Sequence, residues 1–455
     1  MDHEPPIFRL PTELLYQILN HVTPHGTSLI SHENYSDVFA IRGTCRAFRT
    51  ISSELKFWYD EKFCYTRLIP RRLRSSSKFD AYDFETRAQG LLDTLAADKR
   101  LMQTMGRKKE WSFRSLLALS TIDRCIPSFR NTVTDLSIEF FTPDYMSQVD
   151  HLPPVLNVNL AIEFFVLCPN LTSLDLFTAD STEISLDTIA SCCSLLKSLR
   201  LFCDGGWTGS LRGLRCLQRY SNMECSSHFG NVVRESLLPL DSASTLTYLY
   251  LYGPNEYLYN PDALVTFVNL TSCRINPLTN TICDLIRRAK FTNLQTFGTV
   301  VRGDTDISSE DMLRIFSAAS FDRLRSLTFL MEPFQRKFNA CYFGVIQAIT
   351  SHLSSTLEEL AISCGVNTAW CEYFCYLSKL REFTWIAVDC ECVDTPDPFA
   401  FPLTMHNVDE VCLPQVCEIV KNKIQPAFRK FGREPCIDVA ILQEGQYDHW
   451  DFIVD

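Results

Sequence analysis

Asn170-Leu171-Thr172-Ser173-Leu174-Asp175-Leu176 returns as Leu195-Leu196-Lys197-Ser198-Leu199-Arg200-Leu201, and both stretches carry the phrase L-x-x-L-x-L. Further copies run from Thr245 to Leu251, Asn293 to Phe297, Arg323 to Phe329 and Thr356 to Ile362, with weaker ones starting at Thr132, Asn269 and Lys379. The first apolar positions are Val133, Leu171, Leu196, Leu246, Leu270, Leu294, Leu324, Leu357 and Leu380, so the gaps are 38, 25, 50, 24, 24, 30, 33 and 23. The gap of 50 has room for two repeats and predicts a degenerate copy near Leu214 and Leu217. A period of this length marks an array in which each repeat needs the next to bury its apolar edge.

The phrase resembles the strand of a leucine-rich repeat. That resemblance implies an α/β fold, an irregular solenoid with parallel strands on a concave face and helices on a convex face. The sequence between strands has a helical pattern, as in 184–193 and around Asp284-Leu285-Ile286-Arg287-Arg288-Ala289. Cys168 and Cys193 each stand three residues before a first repeat leucine, and Cys168-Pro169-Asn170-Leu171 resembles the cysteine-containing subtype of the repeat. Both thiols are expected to pack inside the turn from helix to strand. A nucleophilic thiol would need a partnered histidine and an exposed site, and none is readable.

Side chains alternate across a strand, so the repeat leucines point inward and the residues between them line the other face. This names Ser173, Asp175 and Phe177; Ser198, Arg200 and Phe202; Tyr248, Tyr250 and Tyr252; and Ser272, Arg274 and Asn276. Aromatic and Arg side chains are where binding energy concentrates. Asp175, Phe177, Arg200, Phe202, Tyr248, Tyr250, Tyr252 and Arg274 are therefore the expected substrate-binding residues. The alternative is that the tyrosines pack on one another or beneath the segment from Gly253 to Pro261.

Upstream of the array, Leu10-Pro11-Thr12-Glu13-Leu14 opens a predicted helix. Pro11 suits a first turn, where its missing N–H costs nothing, and Glu13 lies near the positive end of the helix dipole. Leu14, Leu15, Ile18, Leu19 and Val22 form one stripe, and Pro24 and Gly26 end it. Ser36 and Asp37 are candidate caps for a second helix bearing Val38, Ile41, Cys45 and Phe48, and a third short segment carries Leu55, Phe57 and Trp58. So small a unit buries little surface alone and leans on a neighbour or a partner.

The order Leu10-Pro11-x-Glu13-Leu14, Ile18-Leu19, Cys45-Arg46-x-Phe48-Arg49, Phe57-Trp58 resembles the F-box over about residues 7–60. The segment from Thr23 to Tyr35 is longer than that family usually carries. Taken with the repeats, the chain resembles F-box proteins with C-terminal leucine-rich repeats, of the fungal type. The resemblance implies a three-helix module that docks on the adaptor subunit of a cullin–RING ubiquitin ligase, and through it on the cullin. Its implied adaptor-binding residues are Leu10, Pro11, Leu14, Leu15, Ile18, Leu19, Val38, Ile41, Cys45, Phe48 and Trp58.

Composition narrows the function classes. The chain has 455 residues, 46% hydrophobic and 21% charged, which is ordinary for a folded protein. A formal net charge of -11 opposes general nucleic-acid binding, which needs Lys and Arg to displace phosphate counterions. The basic runs Arg71-Arg72 with Arg74, and Arg107-Lys108-Lys109, read as solvated loop charge. The first residues lack a basic, then apolar, leader, and no run reaches the roughly 18 apolar residues of a membrane span. A cytoplasmic or nuclear location without membrane association is expected. There the 20 cysteines are reduced, and the sequons at Asn34, Asn170 and Asn269 carry no weight. No paired metal knuckle, phosphate loop or hydrolase elbow is present, so no cofactor, no metal and no catalytic residue is expected.

The expected organisation is an adaptor-binding module over 1–60, a helical linker or N-terminal cap over 61–128, the repeats over 129–390 and a C-terminal cap or tail over 391–455. The function this implies is a non-catalytic substrate receptor of a ubiquitin ligase, with an unknown protein substrate. The alternative is a repeat scaffold for protein interactions with no ligase role.

Overall fold

The computed structural model describes residues 11, 13–15, 17–18, 50, 63–64, 89–90, 92–113, 116–140, 168–178, 184–203, 207–224, 238–252, 266–276, 278–288, 290–301, 309–316, 321–331, 338–363, 371–388, 425–426, 428–430, 432 and 435–442. The chain divides into two compact units, residues 1–217 and 218–455.

In the first unit the strands β1 (Phe63–Cys64), β2 (Glu110–Phe113), β3 (Asp135–Phe140), β4 (Ser173–Thr178) and β6 (Ser198–Cys203) pair in that order, all parallel. A short side pair joins β5 (Ile184–Ser185) to β7 (Trp207–Thr208). The helices are α1 (Lys99–Met105), α2 (Leu116–Cys125), α3 (Phe129–Thr132) and α4 (Leu186–Cys192). Asp98 caps α1, accepting from the backbone N–H groups of Arg100 and Leu101, both at 3.1 Å.

In the second unit β8 (Arg219–Glu224), β9 (Tyr248–Tyr252), β11 (Ser272–Asn276), β13 (Thr296–Val301), β14 (Ser326–Met331), β15 (Glu359–Ser363), β16 (Glu382–Val388) and β17 (Cys436–Leu442) form a second parallel ladder. β10 (Thr266–Phe267) and β12 (Lys290–Phe291) make a side pair. The helices here are α5 (Asn280–Arg288), α6 (Ser309–Phe316), α7 (Phe338–His352) and α8 (Cys371–Phe374). The α/β class and the order of one parallel strand per repeat expected from the phrase are thus present in each unit.

The core follows from the alternation. Val133, Leu171, Leu196, Leu246, Leu270, Leu294, Leu324 and Leu357 are buried, as are the inward strand residues that follow them, such as Leu174, Leu249 and Leu327. Burying one such side chain is worth roughly 1.5–3 kcal/mol, so a repeat with three is held mainly by them. Helices supply the other wall: Phe316 of α6 meets Phe329 of β14 at 6.0 Å between ring centres, and Phe374 of α8 meets Phe383 of β16 at 5.3 Å.

One hydrogen-bond device repeats along both ladders. The carbonyl just before a strand accepts two N–H groups from the next repeat. Thr134 O takes Thr172 N at 2.7 Å and Ser173 N at 3.0 Å, and Thr172 O takes Lys197 N and Ser198 N at the same distances. Gln218, Thr247, Thr271, Gln295, Arg325 and Glu358 do likewise. Side chains reinforce it. Asn170, Asn269 and Asn293 donate their amides to the carbonyls of Asn131, Ser244 and Val268 at 2.7, 2.6 and 2.6 Å. Thr172 and Thr271 donate their hydroxyls to Thr134 O and Thr247 O at 3.2 and 3.1 Å. The Asn-Leu-Thr triplets at 170–172 and 269–271 therefore tie successive repeats together.

The ladders also run beyond residues 129–390. β2 repeats the phrase as Lys108-x-x-Trp111-x-Phe113, with Trp111 in register with Leu136 and Phe113 with Ile138. Lys108 occupies the first-leucine position and is 2% exposed, which corrects its reading as solvated loop charge; Arg107 and Lys109 are exposed. The reason is register: the turn that bonds Leu171 N to Cys168 O bonds Lys108 N to Met105 O, and so aims the lysine stem into the core. At the other end β17 adds a rung to β16, from Glu382 opposite Cys436 to Val388 opposite Leu442. The gap of 50 is filled by β8, where the phrase reads Leu217-x-x-Tyr220-x-Asn222, all three buried.

Candidate binding surface

In the first unit, the open face of the ladder is set by β4 and β6. Leu174 and Leu176, like Leu199 and Leu201, point inward, so Ser173, Asp175 and Phe177 stand beside Ser198, Arg200 and Phe202. Arg200 is exposed and Asp175 half-buried. The rings of Phe177 and Phe202 stack at 4.0 Å with 8° between planes. Such a pair contributes about 0.5–1.5 kcal/mol beyond its area and leaves a flat apolar step beside the charged pair.

In the second unit, β8, β9 and β11 carry the expected tyrosine strand. Tyr248 and Tyr252 are half-buried, but Tyr250 is 3% exposed, which corrects its place as an accessible contact residue. Tyr250 sits between Tyr248 and Tyr252 along the strand and between Ser221 and Arg274 across it. The half-buried Arg274 lies opposite Gly298 of β13. A Cβ at Gly298 would come within 3.0 Å of Arg274 Cγ, so the glycine leaves room for the arginine stem to lie low on the sheet.

Three residues the sequence did not point to belong to this surface. Arg219 of β8 is exposed, with its guanidinium carbon 5.0 Å from the centre of the Tyr248 ring. At the far end of the same ladder Glu359 and Glu382 are exposed and in register with one another. The signal that would have found Arg219 is its place two residues after Leu217, the position taken by Ser173 after Leu171.

At the N-terminus Glu13, Leu14, Leu15, Gln17 and Ile18 are helical, and Leu14 and Leu15 donate their N–H groups to Pro11 O at 3.0 and 3.1 Å. The stripe is divided: Leu15 is 5% exposed, while Leu14 is 45% and Ile18 42% exposed. Pro11 is exposed. Leu10, Leu19, Val38, Ile41, Cys45, Phe48 and Trp58 lie outside the described residues.

The cysteines of the turns are packed. Cys168 and Cys193 are buried, and Leu171 N and Leu196 N donate to their carbonyls. Their place three residues before the first leucine is taken elsewhere by Leu214, Phe267, Phe291, Phe321 and Leu377, all buried. Burial pushes the Cys168, Cys193, Cys273 and Cys283 thiols up to about 12. Arg130, held by both oxygens of Asp123, pulls Cys168 the other way without offsetting burial. These thiols stay protonated at neutral pH, the reverse of what a nucleophile requires. Among the described residues no group of three or more His, Cys, Asp or Glu side chains is placed to hold a metal ion, and no helix is long and apolar enough to cross a membrane.

The chain matches no family model and no curated protein. Among solved structures it is similar to the crystal structure of a Bacteroides fragilis protein determined by a structural-genomics consortium, with 12% identity over 68% of this chain and 78% of that one and a TM-score of 0.31.

Proposed function

We propose that this chain is a non-catalytic substrate receptor of a cullin–RING ubiquitin ligase, with an F-box over about residues 7–60 docking on the adaptor and the repeats holding a protein substrate. The observation that carries the first half is the division of the N-terminal stripe. Leu14 and Ile18 stand one helical turn apart and exposed, while Leu15 between them is buried. Two large apolar side chains left in water on one stripe favour a partner surface. The second half is supported by a long parallel ladder whose open face alternates Arg, Tyr and Glu with small polar residues. Catalysis belongs to other subunits. The receptor acts by proximity, raising the effective concentration of substrate lysines near the charged ubiquitin carrier.

The test is capture of the purified adaptor subunit by the full chain. Replacing Leu14 and Ile18 by Asp forfeits burial worth roughly 1.5–3 kcal/mol each, so capture falls by at least about tenfold. A folded Leu14→Asp, Ile18→Asp protein that captures adaptor as well as the wild type overturns the proposal and leaves the plain repeat scaffold.

A further inference from the structure

The open face of the second unit has a polarity. The first residue of each strand stands in register with the first residue of the next, which gives one row crossing the ladder. The row opens with Arg219, over the Tyr248 ring. Three small hydroxyl residues follow, Ser272, Thr296 and Ser326, each half-buried. It runs on to Glu359 and Glu382, both exposed, and ends at Cys436 of β17. Among the described residues neither carboxylate is in an ion pair, whereas their neighbour Glu358 lies 4.0 Å from Arg325 and 3.7 Å from Arg381. In the next row Arg274 stands third, after Ser221 and Tyr250 and beside Gly298, and Asp438 stands last.

Two like charges side by side on a sheet destabilise it. Glu359 and Glu382 do so on an open face; Arg325 and Arg381, just before β14 and β16, lie by Glu358, and the cation of their own row, Arg219, stands at the opposite end. Between the ends the side chains are short, so a backbone laid across the strands can approach the sheet and exchange hydrogen bonds with the hydroxyls. Strands are spaced about 4.8 Å, so Arg219 and Glu359, five strands apart, are separated by roughly 24 Å, and Glu382 adds one spacing more. An extended chain advances about 3.3 Å per residue, which makes these spans roughly seven and nine residues.

We infer that this row binds an extended segment of a partner protein that is acidic at one end and basic about seven to nine residues away, with small or polar residues between. Its acidic end pairs with Arg219, and Arg274, two strands further along the next row, stands beside its path. Its basic end lies against Glu359 and Glu382 and removes their mutual repulsion. A segment of a single sign meets like charge at one end, so complementarity selects the bipolar one. The inference deepens the receptor reading and rests on its assignment of substrate to the repeats, but not on the adaptor contact.

The experiment selects a phage-displayed library of random 16-residue peptides on the immobilised full chain. The enriched sequences are expected to carry an acidic and a basic cluster seven to nine residues apart. A synthetic peptide from that set, followed by fluorescence polarisation, is expected to bind at least roughly tenfold more weakly to Arg219→Glu with Arg274→Glu, and to Glu359→Lys with Glu382→Lys. The charge-neutral variants Arg219→Gln and Glu359→Gln with Glu382→Gln move affinity the same way by less. Enrichment of single-sign or uncharged sequences, no enrichment at all, or an affinity unmoved by the substitutions in folded protein overturns the inference. Adaptor capture is scored on the same preparations. A chain that captures adaptor without enriching bipolar peptides overturns this inference alone. One that enriches them without capturing adaptor overturns the receptor reading alone.

Discussion

Arg219 and Tyr248 are register partners on adjacent strands, and the guanidinium carbon of the first lies 5.0 Å from the ring centre of the second. Arg219 is exposed, so the attraction between cation and ring face is screened and worth about 0.5–1 kcal/mol. A double-mutant cycle of Arg219→Met and Tyr248→Leu, read as the opening free energy of the β8 and β9 amides by hydrogen exchange, is expected to give a coupling of that size. A coupling near zero would mean that the ring does not hold the arginine over the row.

A second prediction contrasts two neighbours in one repeat. Leu270 is fully buried, whereas Asn269 is an exposed residue whose amide reaches Ser244 O. Leu270→Ala removes core volume and is expected to cost about 2–5 kcal/mol. Asn269→Ala removes one solvent-accessible hydrogen bond and is expected to cost at most about 0.5–1.5 kcal/mol. Thermal denaturation and protection of the Thr271 and Ser272 amides check the ranking. Equal losses would contradict the view that apolar burial holds the repeats and the asparagines trim them.

The thiols give a pH prediction. Cys168, Cys193, Cys273 and Cys283 have an ordinary value of 9.0 and are raised by burial to about 12. Below pH 9 both folded and unfolded chains hold these protons, so they add no pH dependence. Between pH 9 and about 12 the unfolded chain releases protons that the folded chain keeps, and stability falls as pH rises. Replacing Cys273, wholly buried in β11, by Val should flatten part of that alkaline slope. In native protein at pH 8 the exposed Cys216 and Cys436 should alkylate while the four buried thiols do not, as read by peptide mass spectrometry.

The sequence made the repeats legible wherever Leu, Phe or Ile fills the inward positions. It hid those where other residues do. β2 carries Lys108, Trp111 and Phe113 inward, so a search for L-x-x-L-x-L passes over it, and β8, with Tyr220 and Asn222 inward, is reached only through the gap of 50 around Leu214 and Leu217. The alternation of faces was readable from period two alone, which placed Arg200, Tyr248 and Arg274 on the open side. Period two says which face a residue is on, not how deeply it lies there, and the 3% exposure of Tyr250 agrees with the packed alternative. Glu359 and Glu382 were visible as letters. Their juxtaposition was not, because it depends on the register between strands separated by 23 residues of chain.

The last prediction concerns the N-terminal stripe, where one helix carries both buried and exposed apolar side chains. Leu14 and Ile18 are four residues apart and 45% and 42% exposed; Leu15 is 5% exposed. Leu15→Ala therefore removes buried volume and is expected to destabilise its helix by about 2–5 kcal/mol, seen as faster proteolysis within residues 1–60. Leu14→Asp and Ile18→Asp alter partly exposed positions and are expected to cost the helix less than Leu15→Ala, about 1 kcal/mol or below in protease resistance. Adaptor capture should show the opposite pattern per unit of stability lost: abolished by the two surface changes, and reduced by Leu15→Ala only in proportion to the unfolded fraction. If Leu14→Asp destabilises the helix as much as Leu15→Ala does, the stripe serves the core of this chain rather than a partner.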